Sequence, residues 1–316
     1  MAGCTLTSVP RVVDEAGRAA FPGFRLRVLE RAPSTQDVVR AAARAGAEAG
    51  FCCVAREQTA GRGRQGRGWV APPGDGLLMS VLVRVGAGVA AGVPLLAGVA
   101  VCDAVEALGV EAGVVGVKWP NDVLVRGSGQ KLAGVLAEVE PAARRSGVSP
   151  RATDIPAPPD FRRRAGGSPG TNPQAAPEPP GQEAPRPTGA PPDSPSHEPL
   201  AIALGIGLNL TVDAFPTDVS GASLHTLLGR GVEWPEALAA LLTALGARIR
   251  ELEGGGLPAT LATWRAHALG LGSPIEAHTP SGVIHGIARD IAPDGALLVD
   301  TPTGLARLLA GDVHLL

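Results

Sequence analysis

One stretch limits what the rest of this 316-residue chain can fold into. Between Pro141 and Glu198 lie 15 of its 30 prolines, with scarcely any large apolar residue, as in Pro177-Glu178-Pro179-Pro180. A segment missing so many backbone donors, with so little to bury, cannot build a packed core and reads as a disordered or extended linker. The core must therefore come from the residues on either side. Leu132 to Val139 and Ala201 to Leu210, which flank the stretch, are both apolar strand candidates. The expectation is that they pair as one long hairpin and that 141–198 is an insertion within a single domain.

The remaining pattern alternates short strands and helices. Phe24 to Leu29 reads as a strand. Ser34 then serves as N-cap, with Asp37 in the first turn, for an alanine-rich helix reaching Glu48 before Gly50. Phe51 to Ala55 and Leu77 to Val85 are apolar enough for buried strands, and Pro94 starts an apolar helix that Gly109 ends. Val114 to Trp119 and Val123 to Val125 are strands around a Pro120-Asn121-Asp122 turn. After Trp234-Pro235 a helix with Leu238, Leu241, Leu242, Leu245 and Ile249 on one face runs to Gly254, and a second follows from Pro258 to Leu269. From Ser273 the pattern is all strand, punctuated by Ser281-Gly282, Asp294-Gly295 and Gly311-Asp312, as in a small barrel. Short strands in hairpins with helices between them predict an α+β fold, a mixed sheet with helices against it rather than a strict βαβ alternation. The boundaries read as an N-terminal extension at 1–23, a main domain at 24–270 and a C-terminal β unit at 271–316.

Composition narrows the function. With 45% hydrophobic and 18% charged residues the chain has enough material for a sizeable core. Its net charge of -2 argues against a protein that coats nucleic acid, so any anion binding must be local. Met1 to Ala20, carrying Arg11, Asp14, Glu15 and Arg18, has no apolar core of the kind a signal peptide or membrane span needs, and a cytoplasmic protein is expected. Cys4, Cys52, Cys53 and Cys102 form no CxxC pair and read as buried thiols, with Cys52 and Cys53 on opposite faces of a strand.

Four motifs carry chemistry. Gly61-Arg62-Gly63-Arg64-Gln65-Gly66-Arg67-Gly68-Trp69 satisfies the dinucleotide pattern G-x-G-x-x-G, but it runs into Val70-Ala71-Pro72-Pro73, which cannot open the required helix. Its arginines beside exposed backbone N–H groups suit phosphate or carboxylate. An arginine-glycine RNA-binding segment is the rival reading, disfavoured because the block occurs once, between apolar strands. The second and third motifs are Lys118-Trp119-Pro120-Asn121-Asp122 and Lys131-Leu132-Ala133-Gly134. They hold both lysines of a chain whose 28 basic residues are otherwise all arginine, and an ammonium fits between two anionic groups where the broader guanidinium does not. The fourth, Gly205-Ile206-Gly207-Leu208-Asn209, places alternating glycines in an apolar strand and implies close approach of a ligand or another backbone.

Together with Ser34-Thr35-Gln36 and Gln58, these motifs resemble the biotin protein ligase family over about Leu26 to Leu316, apart from the linker. The resemblance implies a catalytic domain like that of class II aminoacyl-tRNA synthetases, followed by an SH3-like barrel. It implies ATP and biotin as substrates with Mg²⁺, formation of biotinyl-5′-AMP, and transfer of biotin to a lysine of a biotin carboxyl carrier protein. Ser34, Thr35, Gln36, Gln58, Gly61, Arg62, Arg64, Lys131 and Gly134 would bind biotin. Arg67, Trp69, Asn121, Asp122 and Asn209 would meet the nucleotide, with Asp122 helping to hold Mg²⁺. Lys131, Arg64 and Lys118 would carry catalysis. A lipoate or octanoyl ligase of the same fold is the nearest alternative, and a biotin-sensing DNA-binding repressor is the alternative of another class. Only 33 residues precede Ser34, which argues against DNA binding, and a monomer or homodimer is expected.

Overall fold

The computed structural model describes residues 20–21, 23–141, 199–216, 219–309 and 311–316. The proline-rich reading of 141–198 thus falls almost wholly outside the described residues, as do Cys4 and most of the N-terminal extension. In chain order the elements are β1 (Ala20–Phe21), β2 (Phe24–Ala32), α1 (Thr35–Arg44), β3 (Phe51–Gln58), β4 (Gly76–Val85), α2 (Gly92–Ala107), β5 (Val115–Lys118), β6 (Asp122–Val125), β7 (Lys131–Glu140), β8 (Leu200–Asn209), α3 (Leu224–Leu228), α4 (Trp234–His267), β9 (Pro274–Thr279), β10 (Gly282–Ile291), β11 (Leu297–Thr301), β12 (Gly304–Leu308) and β13 (Asp312–Leu315).

Eight strands form a mixed sheet in the order β1-β2-β3-β4-β8-β7-β6-β5. Its one parallel pair is β2 with β3, joined through α1, and every other neighbour is antiparallel. The two strands flanking the proline-rich stretch pair as expected, from Ala133 with Leu208 to Glu140 with Ala201.

Both faces of the sheet are covered. Helix α1 packs on β3, β4 and β8 over a small cluster that includes Val39, Ala42, Phe51, Cys53, Leu82 and Ala203. Helices α2 and α4 pack on each other and on the opposite face, over the main core of Cys52, Leu77, Met79, Val81 and Leu204. Cys52 and Cys53 therefore do face opposite ways, and the same desolvation that buries them raises both thiol pKa values, that of Cys53 to about 12.

Two local outcomes differ from the sequence pattern, and one expectation between them is met. Helix α1 stops at Arg44 rather than Glu48, because Gly46 takes φ 85° and turns the chain toward β3. The two helices expected after Trp234, one to Gly254 and one from Pro258, are the two halves of α4, which breaks between them at Gly256 with φ 66°. Helix α3 was not expected: five residues are too short to show periodicity, although Ser223 and Thr226 close a capping box.

The C-terminal strands form a five-stranded antiparallel sheet, β12-β11-β10-β9-β13. The expected barrel is not closed by hydrogen bonds, since β12 and β13 each pair with a single neighbour. This sheet is tied to the main one by Trp119 Nε1 donating to the Gly295 carbonyl (3.0 Å) in the β10–β11 turn, and the segment that leads into it by Leu269 N donating to Val117 O (2.8 Å). No described helix is long and apolar enough to cross a membrane.

Candidate active site

Fourteen of the fifteen residues singled out by sequence line one cavity of about 510 Å³; the exception, Gly61, lies in the adjoining depression under the Gly/Arg loop. The floor is the β7–β8 ladder, where Gly134 pairs with Gly207. One wall is the start of α1, another is the β5–β6 turn, and the Gly/Arg loop forms a flap.

The α1 wall is a buried hydrogen-bond chain. Thr35 N and Oγ1 both donate to Gln58 Oε1, at 2.7 and 3.1 Å. Thr35 Oγ1 also lies 2.8 Å from Ser80 Oγ, which donates to Gln36 Oε1 at 2.9 Å. Gln36 Nε2 in turn donates to Ala203 O at 2.8 Å. Ser34 stands at the N-cap of α1 but makes no side-chain cap, so its hydroxyl is left beside the cavity. A Cβ at Gly205 would sit 2.8 Å from Gln36 Oε1, which explains the small residue there. Ser80 was missed by sequence reasoning; its signal is a lone hydroxyl in the otherwise apolar run Gly76-Leu77-Leu78-Met79-Ser80-Val81-Leu82-Val83.

The Gly/Arg loop is a closed hairpin and not the opening of a helix. Arg62 bridges Gly68, Trp69 N donates to Gly61 O (3.0 Å), and Gly63 N donates to Arg67 O (2.7 Å). Gln65 and Gly66 take positive φ at its tip. A Cβ at Gly61 would meet the Trp69 carbonyl at 2.3 Å, so only glycine fits. The arginines point to different partners. Arg62 Nη2 lies 2.7 Å from Asp37 and 3.4 Å from Glu138. Arg64 donates to Asn121 Oδ1 (3.0 Å) and Gly311 O (3.3 Å), and Arg67 pairs with Asp312 at 2.6 Å. Burial holds the Arg64 guanidinium below its ordinary pKa.

At the β5–β6 turn, Lys118 and Asp122 are cross-strand partners with Nζ 3.7 Å from Oδ2. Lys131, at the start of β7, places Nζ 2.7 Å from Asp122 Oδ1 and 5.5 Å from the centroid of the Trp69 ring. Trp69 lies over Gly134 and Gly207, and its buried indole N–H has no acceptor among the described residues. Asn121 is spent within the protein, accepting from Arg64 and donating to Val135 O (3.0 Å). So is the amide of Asn209, which donates to Lys131 O (3.2 Å) and Ala222 O (3.0 Å) and thereby fixes the start of β7 rather than offering a donor to a nucleotide.

The electrostatics follow from this lining. Of the five cationic side chains along the cavity, Arg62 is met by Asp37 and Glu138 and Arg67 by Asp312, which leaves Arg64, Lys118 and Lys131 with one lining carboxylate, Asp122, in a chain of net charge -2. Beside them are Met79, Leu124, Val135, Leu136, Ile206, Phe215 and Val219. The site can take a ligand with a slim apolar part over the glycines and anionic groups at the lysine end. The magnesium expected at Asp122 would meet a carboxylate that is already paired. Among the described residues no three His, Cys, Asp or Glu side chains cluster to hold a metal, and both Asp122 oxygens face ammonium groups.

The biotin/lipoate A/B protein ligase family matches residues 28–149, and the biotin protein ligase C-terminal domain matches residues 270–316. A biotin–[acetyl-CoA-carboxylase] ligase of Mycobacterium tuberculosis is 33% identical over 93% of this chain and 90% of its own length. The enzyme of the same name from Paracoccus denitrificans is 31% identical over 82% of this chain and 88% of its own. Among solved structures, a biotin protein ligase from Aquifex aeolicus in complex with biotin and ATP superposes with a TM-score of 0.64. It shares 22% identity over 94% of this chain and 99% of that one.

Proposed function

Since this chain belongs to the biotin protein ligase family, we propose that its cavity joins biotin to ATP and then to a protein lysine. In the first step an oxygen of the biotin carboxylate bonds to the α-phosphorus of ATP, the bond from that phosphorus to the bridging oxygen breaks, and pyrophosphate leaves. In the second a lysine amine of a biotin carboxyl carrier protein attacks the acyl carbon of biotinyl-5′-AMP, losing its proton as AMP departs. No protein nucleophile is required.

The observation that carries this reading is the charge of the lining, Arg64, Lys118 and Lys131 against the one carboxylate Asp122, around a glycine-floored apolar slot. Bringing a carboxylate to a triphosphate is opposed by repulsion between anions, so catalysis here is positioning plus neutralisation. Lys131 and Lys118 stand where the two anionic groups would meet, held apart from each other by Asp122. Arg64, half-buried and aimed by Asn121, is the loop cation placed to face them. Thr35 and Ser34, at the α1 end, are suited to the polar ring of biotin, and the Trp69 indole to the ligand that passes over the glycines. Asn209 and Asn121 act by fixing β7 and Arg64.

Biotin-dependent exchange of pyrophosphate into ATP by the purified chain tests the first step, with lipoate as the control. Exchange with biotin and none with lipoate is expected; the reverse would assign the chain to the lipoate branch of the family. Incorporation of biotin into a carrier domain bearing its acceptor lysine, and not into the domain with that lysine replaced by arginine, tests the second step.

A further inference from the structure

We propose that Asp37 and Glu138 are positioning residues that hold the Gly/Arg loop closed through Arg62, so that Arg62 anchors the flap instead of binding the ligand. Arg62 stands between Gly61 and Gly63, so no neighbouring side chain in the loop can order the backbone at that point. Its Nη2 is 2.7 Å from Asp37 Oδ1 and 3.4 Å from Glu138 Oε2, while its Nε is buried without a partner among the described residues. Desolvating part of a guanidinium is unfavourable unless its charge is met, and here two protein carboxylates meet it.

The two carboxylates belong to the elements that build the site. Asp37 is in the first turn of α1, two residues after Thr35, and Glu138 is on β7, four residues after Gly134. Glu138 is steadied in turn by Arg40, 3.5 Å away on α1, whose neighbour Arg44 lies 2.9 Å from the buried Glu140. The loop is thus pinned at its first arginine to the main sheet and, through Arg64 and Arg67, to Asn121, Gly311 and Asp312 at the other side. Trp69, two residues after Arg67, leaves the loop with its indole over the glycine floor.

This arrangement predicts where the energy appears. Half-exposed ion pairs contribute little to global stability. Ordering a glycine-rich flap before the ligand arrives removes an entropic cost from binding. Losing the anchor should therefore weaken ligand capture while leaving folding and the chemical step nearly intact.

The test compares three full-length variants: Arg62→Ala, the double variant Asp37→Asn/Glu138→Gln, and the triple combination. In the absence of any ligand, tryptic cleavage after Arg64 and Arg67, the loop sites that all the variants keep, followed by mass spectrometry, should be faster in all three than in the unmodified protein. In pyrophosphate exchange the KM for biotin should rise about tenfold, the factor expected for losing two modest ion pairs, with kcat within about twofold and Tm within a few degrees. The triple variant should be no worse than Arg62→Ala, because the three groups act as one unit, and Arg62→Lys, which can meet one carboxylate at a time, should be intermediate. The inference is overturned if Arg62→Ala costs far more than the double variant, which would put Arg62 on the ligand, or if loop cleavage is unchanged when the carboxylates are neutralised. The kinetic arm rests on the biotin ligase reading and the proteolysis arm does not. Absence of biotin-dependent exchange in the unmodified protein would sink that reading and leave the anchor to be decided by cleavage alone.

Discussion

Gly134 and Gly207 face each other across β7 and β8, and one indole covers both. A Cβ at Gly207 would come within 2.4 Å of Trp69 Cε2, and one at Gly134 within 2.9 Å of Cζ3. Neither glycine has a positive φ, so the requirement is for space and not for an unusual backbone. The Gly/Arg loop and the sheet are fitted to each other through this contact.

Gly207→Ala should displace the indole and with it the flap. Misplacing a positioning group by about 1 Å can cost on the order of a hundredfold in rate, and a loss of that size in biotin-dependent exchange is expected with a native circular dichroism spectrum. Normal exchange by Gly207→Ala would show that the Trp69 ring need not occupy this place during turnover.

Lys131→Arg keeps the charge and loses the fit. The ammonium lies 2.7 Å from Asp122 Oδ1, and its Cε would be 3.3 Å from a Cβ on Gly134, leaving little room for a planar guanidinium. Losing one preorganised transition-state contact costs about 3 kcal/mol, on the order of a hundredfold. Formation of biotinyl-AMP by the folded variant at saturating ATP and biotin is the measurement, and near-normal rates would remove Lys131 from the chemistry.

Arg64→Gly should let the adenylate escape. Arg64 joins the flap to Asn121 and to Gly311 just before β13, so its loss opens the loop at the cationic end of the cavity. Bystander lysines on an unrelated protein should then be biotinylated, as read by streptavidin blotting. Labelling confined to the carrier would mean that other groups retain the intermediate.

Replacing residues 142–198 by a short Gly/Ser turn should leave biotinylation within a few-fold of normal. Glu140 pairs with Ala201, so the hairpin can be closed locally without moving the ladder, and Glu140 keeps its partners Arg40 and Arg44. Loss of soluble expression or of activity would show that the stretch contributes to the fold.

Acid should loosen the C-terminal sheet. A hydrogen bond from Arg265 on α4 holds the Asp290 carboxyl of β10 below its ordinary pKa, and Arg248 does the same for Glu251 within α4. A carboxyl depressed in the folded state contributes its stability in full above the unfolded pKa, about 4, and loses it as pH falls through the lower folded value. Tm should be flat from neutral pH to about 5 and decline below about 4. Asp290→Asn should have a slightly lower Tm at neutral pH and a shallower acid decline, and an unchanged decline would assign the acid sensitivity elsewhere.

The elements and the residue types of the lining were legible along the chain. Alternation and apolar runs located the strands that bear the site, Gly254 and Pro258 announced the break that falls at Gly256 in α4, and the two lysines marked the cationic end of the cavity. These are local signals, written in spacing and composition, and they survive folding because each concerns a residue and its near neighbours. Only the tertiary structure decided which partner each charge would take. Arg62 is drawn to Asp37 and Glu138, Arg67 to Asp312, and the Asn209 amide to two backbone carbonyls, by a strand order that sets β8 between β4 and β7 and swings β13 against the loop. An arginine in a glycine-rich loop can satisfy its charge with a ligand or with a carboxylate of the protein, and the choice is made by distance, which in a mixed sheet is fixed by long-range pairing and not by position along the chain.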